Sequence, residues 1–223
     1  LLAERHTQAM SVDVGMPVLH RSVRSNARVL LVNGRVVGVR PKLLLANDGN
    51  YREMRYFTPW WFDATESGYG PLQVFELPPA IAHETGQQTV PIGIFALVDE
   101  LGVSVGFETC EELFTPASPG VAMALDGVDM IANGSGSHHQ LRKLDKRIDL
   151  VRGATSKAGG AYLYSNQKGC DGGRLYFDGC AMVWVNGELI AQGSQFGSLG
   201  DVEVVVANVD ISGVRSFGSN FIA

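Results

Sequence analysis

Val128-Asp129-Met130-Ile131-Ala132-Asn133-Gly134-Ser135-Gly136-Ser137-His138-His139-Gln140 sets the architecture of this chain. Val128 to Ala132 reads as a buried strand, and Asn133 to Gly136 as a loop. Ser137 and Gln140 stand three apart in a capping-box pattern, so a helix is expected to open there. Leu141, Leu144, Ile148 and Val151 continue at helical spacing, and Gly159-Gly160 ends the element. The charge run from Arg142 to Arg152 is then the solvated face of that helix.

Upstream, Val103 to Glu108 alternates with period two and predicts a strand. Glu111 to Phe114 after it suits a helical first turn, where carboxylates favour the dipole. Ser118-Pro119 opens a further helix, with serine as N-cap and proline at N1, and Gly127 closes it. Downstream, Ala161 to Asn166 is again a strand. Two hairpins flank this core: Val29 to Arg40 around Asn33-Gly34, and Ala181 to Ala191 around Asn186-Gly187. Asn-Gly between β-rich arms is a type I′ signal, because both turn residues need positive φ. Asp201 to Ile211 reads as a long valine-rich strand, and residues 61–88 as a long loop. The class is α+β, a mixed sheet with helices packed against it. No internal repeat or domain boundary is visible, so residues 1–223 are read as one domain.

The composition excludes several functions. With 18 basic and 23 acidic side chains the net charge is −5, which gives no sequence-wide attraction to nucleic acid or anionic membrane. No window of 18 apolar residues exists to span a bilayer. Cys110, Cys170 and Cys180 are too few and too widely spaced for a disulfide framework or a structural zinc, which fits a reducing, cytoplasmic setting. The chain opens Leu1-Leu2-Ala3-Glu4 without an initiator methionine, so a fragment is expected.

Cys110 lies where a strand meets a turn. A nucleophile there would be exposed on a sharp elbow, with backbone N–H groups nearby. The alternative is a structural core cysteine, and two adjacent carboxylates, Glu111 and Glu112, oppose a thiolate. Lys42, inside Val39 to Leu45, must snorkel, pair with a carboxylate, or serve a buried site as a cation for an oxyanion. Glu53 alone is a surface glutamate beside Arg52 and Arg55. Ser137 is a helix cap or a substrate ligand. His138 and His139 are adjacent, so they cannot share one helix face as a metal pair.

Taken together, Arg40-Pro41-Lys42, Asn47 to Glu53, Thr109-Cys110-Glu111-Glu112-Leu113-Phe114-Thr115-Pro116, Asn133 to His139, and Asn166-Gln167-Lys168-Gly169-Cys170-Asp171-Gly172 resemble the nitrilase superfamily. More narrowly, they resemble the glutamine amidotransferase domains of eukaryotic-type glutamine-dependent NAD synthetases, from about Val12 to about Arg215. The resemblance implies a nitrilase-like αββα sandwich. It implies a Glu-Lys-Cys triad in which Cys110 attacks the carboxamide of L-glutamine and forms a thioester. Lys42 and the backbone N–H of Glu111 would hold the oxyanion, and Glu53 would orient the lysine. Ser137 would hold the substrate α-carboxylate with a basic residue, either Arg142 or Lys143, and Glu111 the α-ammonium. No metal or cofactor is implied for this step; ATP and Mg would serve a C-terminal synthetase domain that amidates deamido-NAD. A homo-oligomer is also implied.

Two departures qualify the resemblance. Upstream of Lys42 the only glutamate is Glu4, whose surroundings lack the glycine-rich, apolar pattern of the family's general base. No Ser-Gly-Gly-x-Asp-Ser phosphate loop occurs towards Phe221-Ile222-Ala223. The expectation is therefore a domain lacking its first strand, first helix and general base, inactive by itself. The alternatives are a free-standing nitrilase-type amidase and an inert fragment or scaffold.

Overall fold

Asn33 and Gly34 adopt φ of +50° and +74°, and Asn186 and Gly187 of +51° and +85°, so both Asn-Gly pairs close two-residue hairpins as their sequence requires. The computed structural model describes residues 1–223 except Glu4, 61–69, 198–201 and 220–223. Glu4, most of the first half of the expected 61–88 loop and the chain end at Phe221 to Ala223 thus lie outside the described residues. The chain groups into two compact units, Leu1–Phe95 and Ala96–Ala223.

The first unit contains β1 (Ser11–His20), β2 (Val23–Val32), β3 (Arg35–Pro41), β4 (Gln73–Glu76), helix α1 (Pro79–Thr85) and β5 (Thr89–Ile92). The sheet order is β1-β2-β3-β5-β4. β1 pairs with β2 along its whole length through a turn at Arg21-Ser22, both left-handed at φ +49° and +66°. Nothing in that dipeptide announces the turn. One sheet face buries Ala27, Leu31, Val36, Val39, Phe75, Val90 and Ile92 in an apolar core; each such side chain contributes about 1.5–3 kcal/mol. In β2 and β3, Arg28 and Arg40 pair in register and are buried, and Asp13 receives the Arg28 guanidinium. The expected loop at 61–88 therefore needs correction over its described part. β4 and α1 occupy it, because Val74 to Glu76 pairs antiparallel with Thr89 to Pro91, and Pro79 at N1 starts a helix stopped by Gly86 at φ +67°.

The second unit contains β6 (Leu97–Val98), β7 (Ser104–Thr109), α2 (Pro119–Leu125), β8 (Met130–Ser135), α3 (Lys143–Ala158), β9 (Ala161–Asn166), β10 (Lys168–Cys170), β11 (Tyr176–Asp178), β12 (Met182–Val185), β13 (Glu188–Gln192) and α4 (Ile211–Gly218). β7, β8 and β9 run parallel at the centre of a six-stranded sheet ordered β13-β12-β9-β8-β7-β6. Helices α2 and α3 supply Met123 and Val151 to a core with Leu113, Ile131, Tyr162, Tyr164, Met182 and Trp184. Ser118 caps α2 by accepting the Gly120 N–H, as its sequence predicts.

Three expectations fail in this unit. The helix does not open at Ser137: α3 begins at Lys143, and Leu141 is 90% exposed. His139 instead donates its N–H to the Tyr176 carbonyl at 2.7 Å, and His138 bridges Phe177, so this stretch is held extended against β11. The charge run on α3 is not uniformly solvated, because Arg147 is fully buried. Finally, residues 202–210 form no strand. They carry no ladder partner, Val202, Val204 and Val206 are each about 80% exposed, and Asp210 then caps α4 by accepting the Ser212 N–H. Valine alternation describes an extended chain, and pairing requires a free edge that the alternation cannot reveal.

Candidate active site

Cys110 follows the last residue of β7 and has φ +46°, a left-handed conformation that costs a non-glycine residue about 1–2 kcal/mol. Thr109 before it is extended, and a 3₁₀ turn, Cys110–Phe114, follows. The backbone thus reverses within one residue and leaves the thiol at intermediate exposure. A buried network imposes this strain. The Cys110 N–H donates to Asn133 Oδ1 at 3.2 Å, Asn133 Nδ2 donates to Tyr162 Oη at 3.0 Å, and Tyr162 Oη donates to Glu108 Oε2 at 2.6 Å. Glu108 is itself held by the Gly120 N–H and the Ser118 hydroxyl. Cys110 is thus a half-exposed residue on a left-handed turn at a strand end.

The two carboxylates after Cys110 have different fates. Glu112 is fully buried, and its Oε2 accepts the Thr109 N–H at 2.7 Å, so it caps the turn. Glu111 is partly exposed and lies within electrostatic reach of Lys143.

Ser137 is 1% exposed, and its Oγ has no hydrogen-bond partner among the described residues. Its backbone is pinned on both sides by Asn166: the Ser137 N–H donates to Oδ1 at 2.8 Å, and Nδ2 donates to the Ser137 carbonyl at 3.0 Å. A buried hydroxyl held rigidly without a partner is available to a ligand. Lys143, the first residue of α3, is partly buried. Burial pushes its ammonium below the usual lysine range and Arg147 adds to this, while the charges of Cys110, Asp178 and Glu111 oppose it. Arg142 is exposed, left-handed at φ +64°, and makes no capping bond. Lys143 thus lies within electrostatic reach of Cys110 and Glu111, and Arg142 next to it is exposed.

In the first unit, Lys42 is 2% exposed and donates its Nζ to Glu53 Oε2 at 2.5 Å. The Ala46 N–H donates to the same oxygen at 2.6 Å, and Asn26 Nδ2 to Oε1 at 2.7 Å. Three donors fix this carboxylate, so Glu53 is not the solvated surface glutamate its local sequence suggests. Lys42 does not snorkel: the pair is a buried cation with its counter-ion locked in place.

One residue escaped the sequence reading. Asp178, fully buried, accepts Arg147 Nη2 at 2.6 Å and Gln195 Nε2 at 2.8 Å, with His139 Nδ1 at 3.6 Å. Burial opposes its ionised form, yet the bonds from Arg147 and Gln195 prevail and hold the carboxyl below the usual range. An aspartate in Tyr176-Phe177-Asp178-Gly179 carries no local signal of this. Among the described residues no group of three or more His, Cys, Asp and Glu converges as a metal site would need, and no helix is long and apolar enough to cross a membrane.

Residues 2–218 match the carbon-nitrogen hydrolase family model. The chain is 55% identical over 217 residues to the glutamine-dependent NAD(+) synthetase of Saccharomyces cerevisiae, and 54% identical over 217 residues to that of Dictyostelium discoideum. Each match covers 97% of this chain and 29% of the relative, so the chain spans under a third of their length. The crystal structure of a glutamine-dependent NAD(+) synthetase from Cytophaga hutchinsonii superposes with a TM-score of 0.73 at 26% identity, over 89% of this chain and 30% of that one. The nitrilase-like α+β fold expected from the motifs is thus the observed one. With its left-handed Cys110 elbow and its match over residues 2–218, the chain belongs to the carbon-nitrogen hydrolase family.

Proposed function

We propose that residues 1–223 are the glutaminase part of a glutamine-dependent NAD synthetase, hydrolysing L-glutamine to supply ammonia for amidation of deamido-NAD. The observation that carries this reading is the strained Cys110 elbow with Lys143 and Glu111 in electrostatic reach, in a unit that also holds the buried Ser137 hydroxyl, unpartnered among the described residues. An anion-binding pair (Ser137 and Lys143) and a carboxylate (Glu111) suit the α-carboxylate and α-ammonium of an amino acid, whereas a simple aliphatic amide would leave those groups unmatched.

In this reading Cys110 Sγ attacks the glutamine carboxamide carbon. The Glu111 backbone N–H holds the resulting oxyanion, and the family resemblance assigns the same task to the Lys42 ammonium, which Glu53 fixes within the first unit. Collapse breaks the C–N bond, the nitrogen leaves as ammonia carrying the proton that the Cys110 thiol gave up, and a γ-glutamyl thioester remains. Water attacks that thioester, releasing glutamate and the Cys110 thiol. Between Leu1 and Lys42 the only glutamate is Glu4, outside the described residues, so no general base is assigned within the chain. ATP and Mg²⁺ belong to the synthetase reaction. No step here runs through either. A cytoplasmic homo-oligomer joined to a C-terminal synthetase domain completes the proposal.

Replacing Cys110 by alanine in the full-length protein tests it. Glutamine-dependent NAD formation should disappear while ammonia-dependent formation persists. Glutamine hydrolysis surviving the substitution would refute the reading, and preference for a simple aliphatic amide over glutamine would favour a free-standing amidase.

A further inference from the structure

Two of the proposed substrate contacts, Ser137 and Lys143, lie in different segments. The start of α3 has no side-chain cap: Arg142 is left-handed, and no side chain accepts the first N–H groups. A helix start left this way depends on tertiary anchoring. Ser137 lies in an extended stretch outside any strand or helix. Both segments meet at one buried carboxylate.

Asp178 reaches α3 through Arg147. The two form a fully buried ion pair at 2.6 Å, four residues along the helix from Lys143 and so on the same face. Arg147 and Lys143 would repel each other across that turn, and the Asp178 charge acts on both to offset this. The same carboxylate lies 3.5 Å from Asn166 Nδ2, whose amide clamps the Ser137 backbone. Gln195 and His139 complete its surroundings.

We infer that Asp178 is a positioning residue for the amino-acid end of the substrate, seating Lys143 through Arg147 and the Ser137 backbone through Asn166. This rests on the proposed role of Ser137 and Lys143 in holding glutamine. Loss of the Asp178 charge leaves Arg147 buried without a counter-ion, and the first turn of α3 then shifts to hydrate it. A displacement of that kind at a binding group weakens substrate capture and leaves the Cys110 elbow in place, because the elbow depends on Asn133, Tyr162 and Glu108 instead.

The test is steady-state glutaminase kinetics of the full-length protein. Asp178→Asn is expected to raise KM for glutamine by about 10- to 100-fold with kcat within about threefold. In a Lys143→Ala background the same change should raise KM by clearly less than it does in the wild-type protein, since the arm through Arg147 then has no contact to seat and only the Ser137 arm remains. A kcat loss with unchanged KM, or full additivity, overturns the inference. If Asp178→Asn gives no cooperative melt, Asn166→Ala and Arg147→Lys each cut one arm and should each raise KM; unchanged KM in both overturns it. If the wild-type protein forms no Cys110-dependent glutamyl thioester, the functional reading fails and this inference falls with it. If the thioester forms and Lys143→Ala raises KM while Asp178→Asn does nothing, only the inference fails.

Discussion

Removing the charge of Glu53 isolates the energetics of the buried cation in the first unit. In Glu53→Gln the side chain keeps its shape, and an amide oxygen can still accept from Lys42 and the Ala46 N–H. Asn26 can turn its amide to meet the new NH₂ group. What is lost is the counter-ion of a lysine only 2% exposed. Stranding one partner of a buried pair costs about 3–5 kcal/mol. Glu53 is 17% exposed and some water reaches it, so the low end, about 3 kcal/mol, is the expected loss. For a chain of this size that corresponds to a Tm fall of roughly 6–12 °C, readable by circular dichroism. Adding Lys42→Met removes the stranded charge and should recover most of the loss. A Glu53→Gln protein melting within about one degree of wild type would refute this account. So would a double variant no more stable than the single one.

Other substitutions probe the second unit. Lys143→Ala should raise KM for glutamine about 10- to 100-fold, the worth of a charge-assisted hydrogen bond, while Arg142→Ala stays within about threefold; reversal of that order in steady-state assays would move the carboxylate contact to Arg142. Because the Lys143 ammonium is held below its ordinary range, it loses its charge at a lower pH than an exposed lysine. KM should therefore climb as pH rises through that shifted value, and a profile that rises only at the ordinary lysine pKa would contradict it. Cys110→Gly should abolish hydrolysis yet stabilise the fold by about 1 kcal/mol, since glycine takes φ +46° without strain; a melt below that of Cys110→Ala would argue against strain at the elbow. Burial pushes the Cys180 thiol up, so iodoacetamide at neutral pH should label Cys110 and exposed Cys170 well before Cys180. Peptide mass spectrometry reads the order, and early labelling of Cys180 would count against it.

Much of the fold was legible because its signals are local. Asn33-Gly34 and Asn186-Gly187 demand a positive φ that few other pairs supply, and Ser118-Pro119 states a helix start in two residues. Arg21-Ser22 makes the same kind of turn with no such chemistry, since ten paired residues of β1 and β2 impose it. The capping pattern at Ser137 and Gln140 was real as a pattern but lost to Asn166, which holds Ser137 from 29 positions away, and to Tyr176, which holds His139 from 37 positions away. The site divides in the same way. The turn at Cys110 could be read from strand-end position, but position alone favoured a core cysteine, and Cys110, Lys42 and Glu53 became site candidates only through the whole set of motifs. Asp178 could not be read at all, because its partners Arg147, Asn166 and Gln195 come from three separate segments.

The three parallel strands of the second unit carry unlike residues at their two ends. Cys110, Ser137 and Asn166 stand at or just beyond the carboxyl ends of β7, β8 and β9, where ligands gather in parallel sheets. The opposite ends hold a clamp instead. Asp129, just before β8, accepts the Ser104 N–H at the start of β7 and the guanidinium of Arg215 on α4. Evolution and protein engineers therefore meet one sheet with two separate freedoms. Substitutions around Asp129, Ser104 and Arg215 can tune how firmly α4 is moored without touching the chemistry. At the other rim specificity can be redrawn while the mooring stays intact.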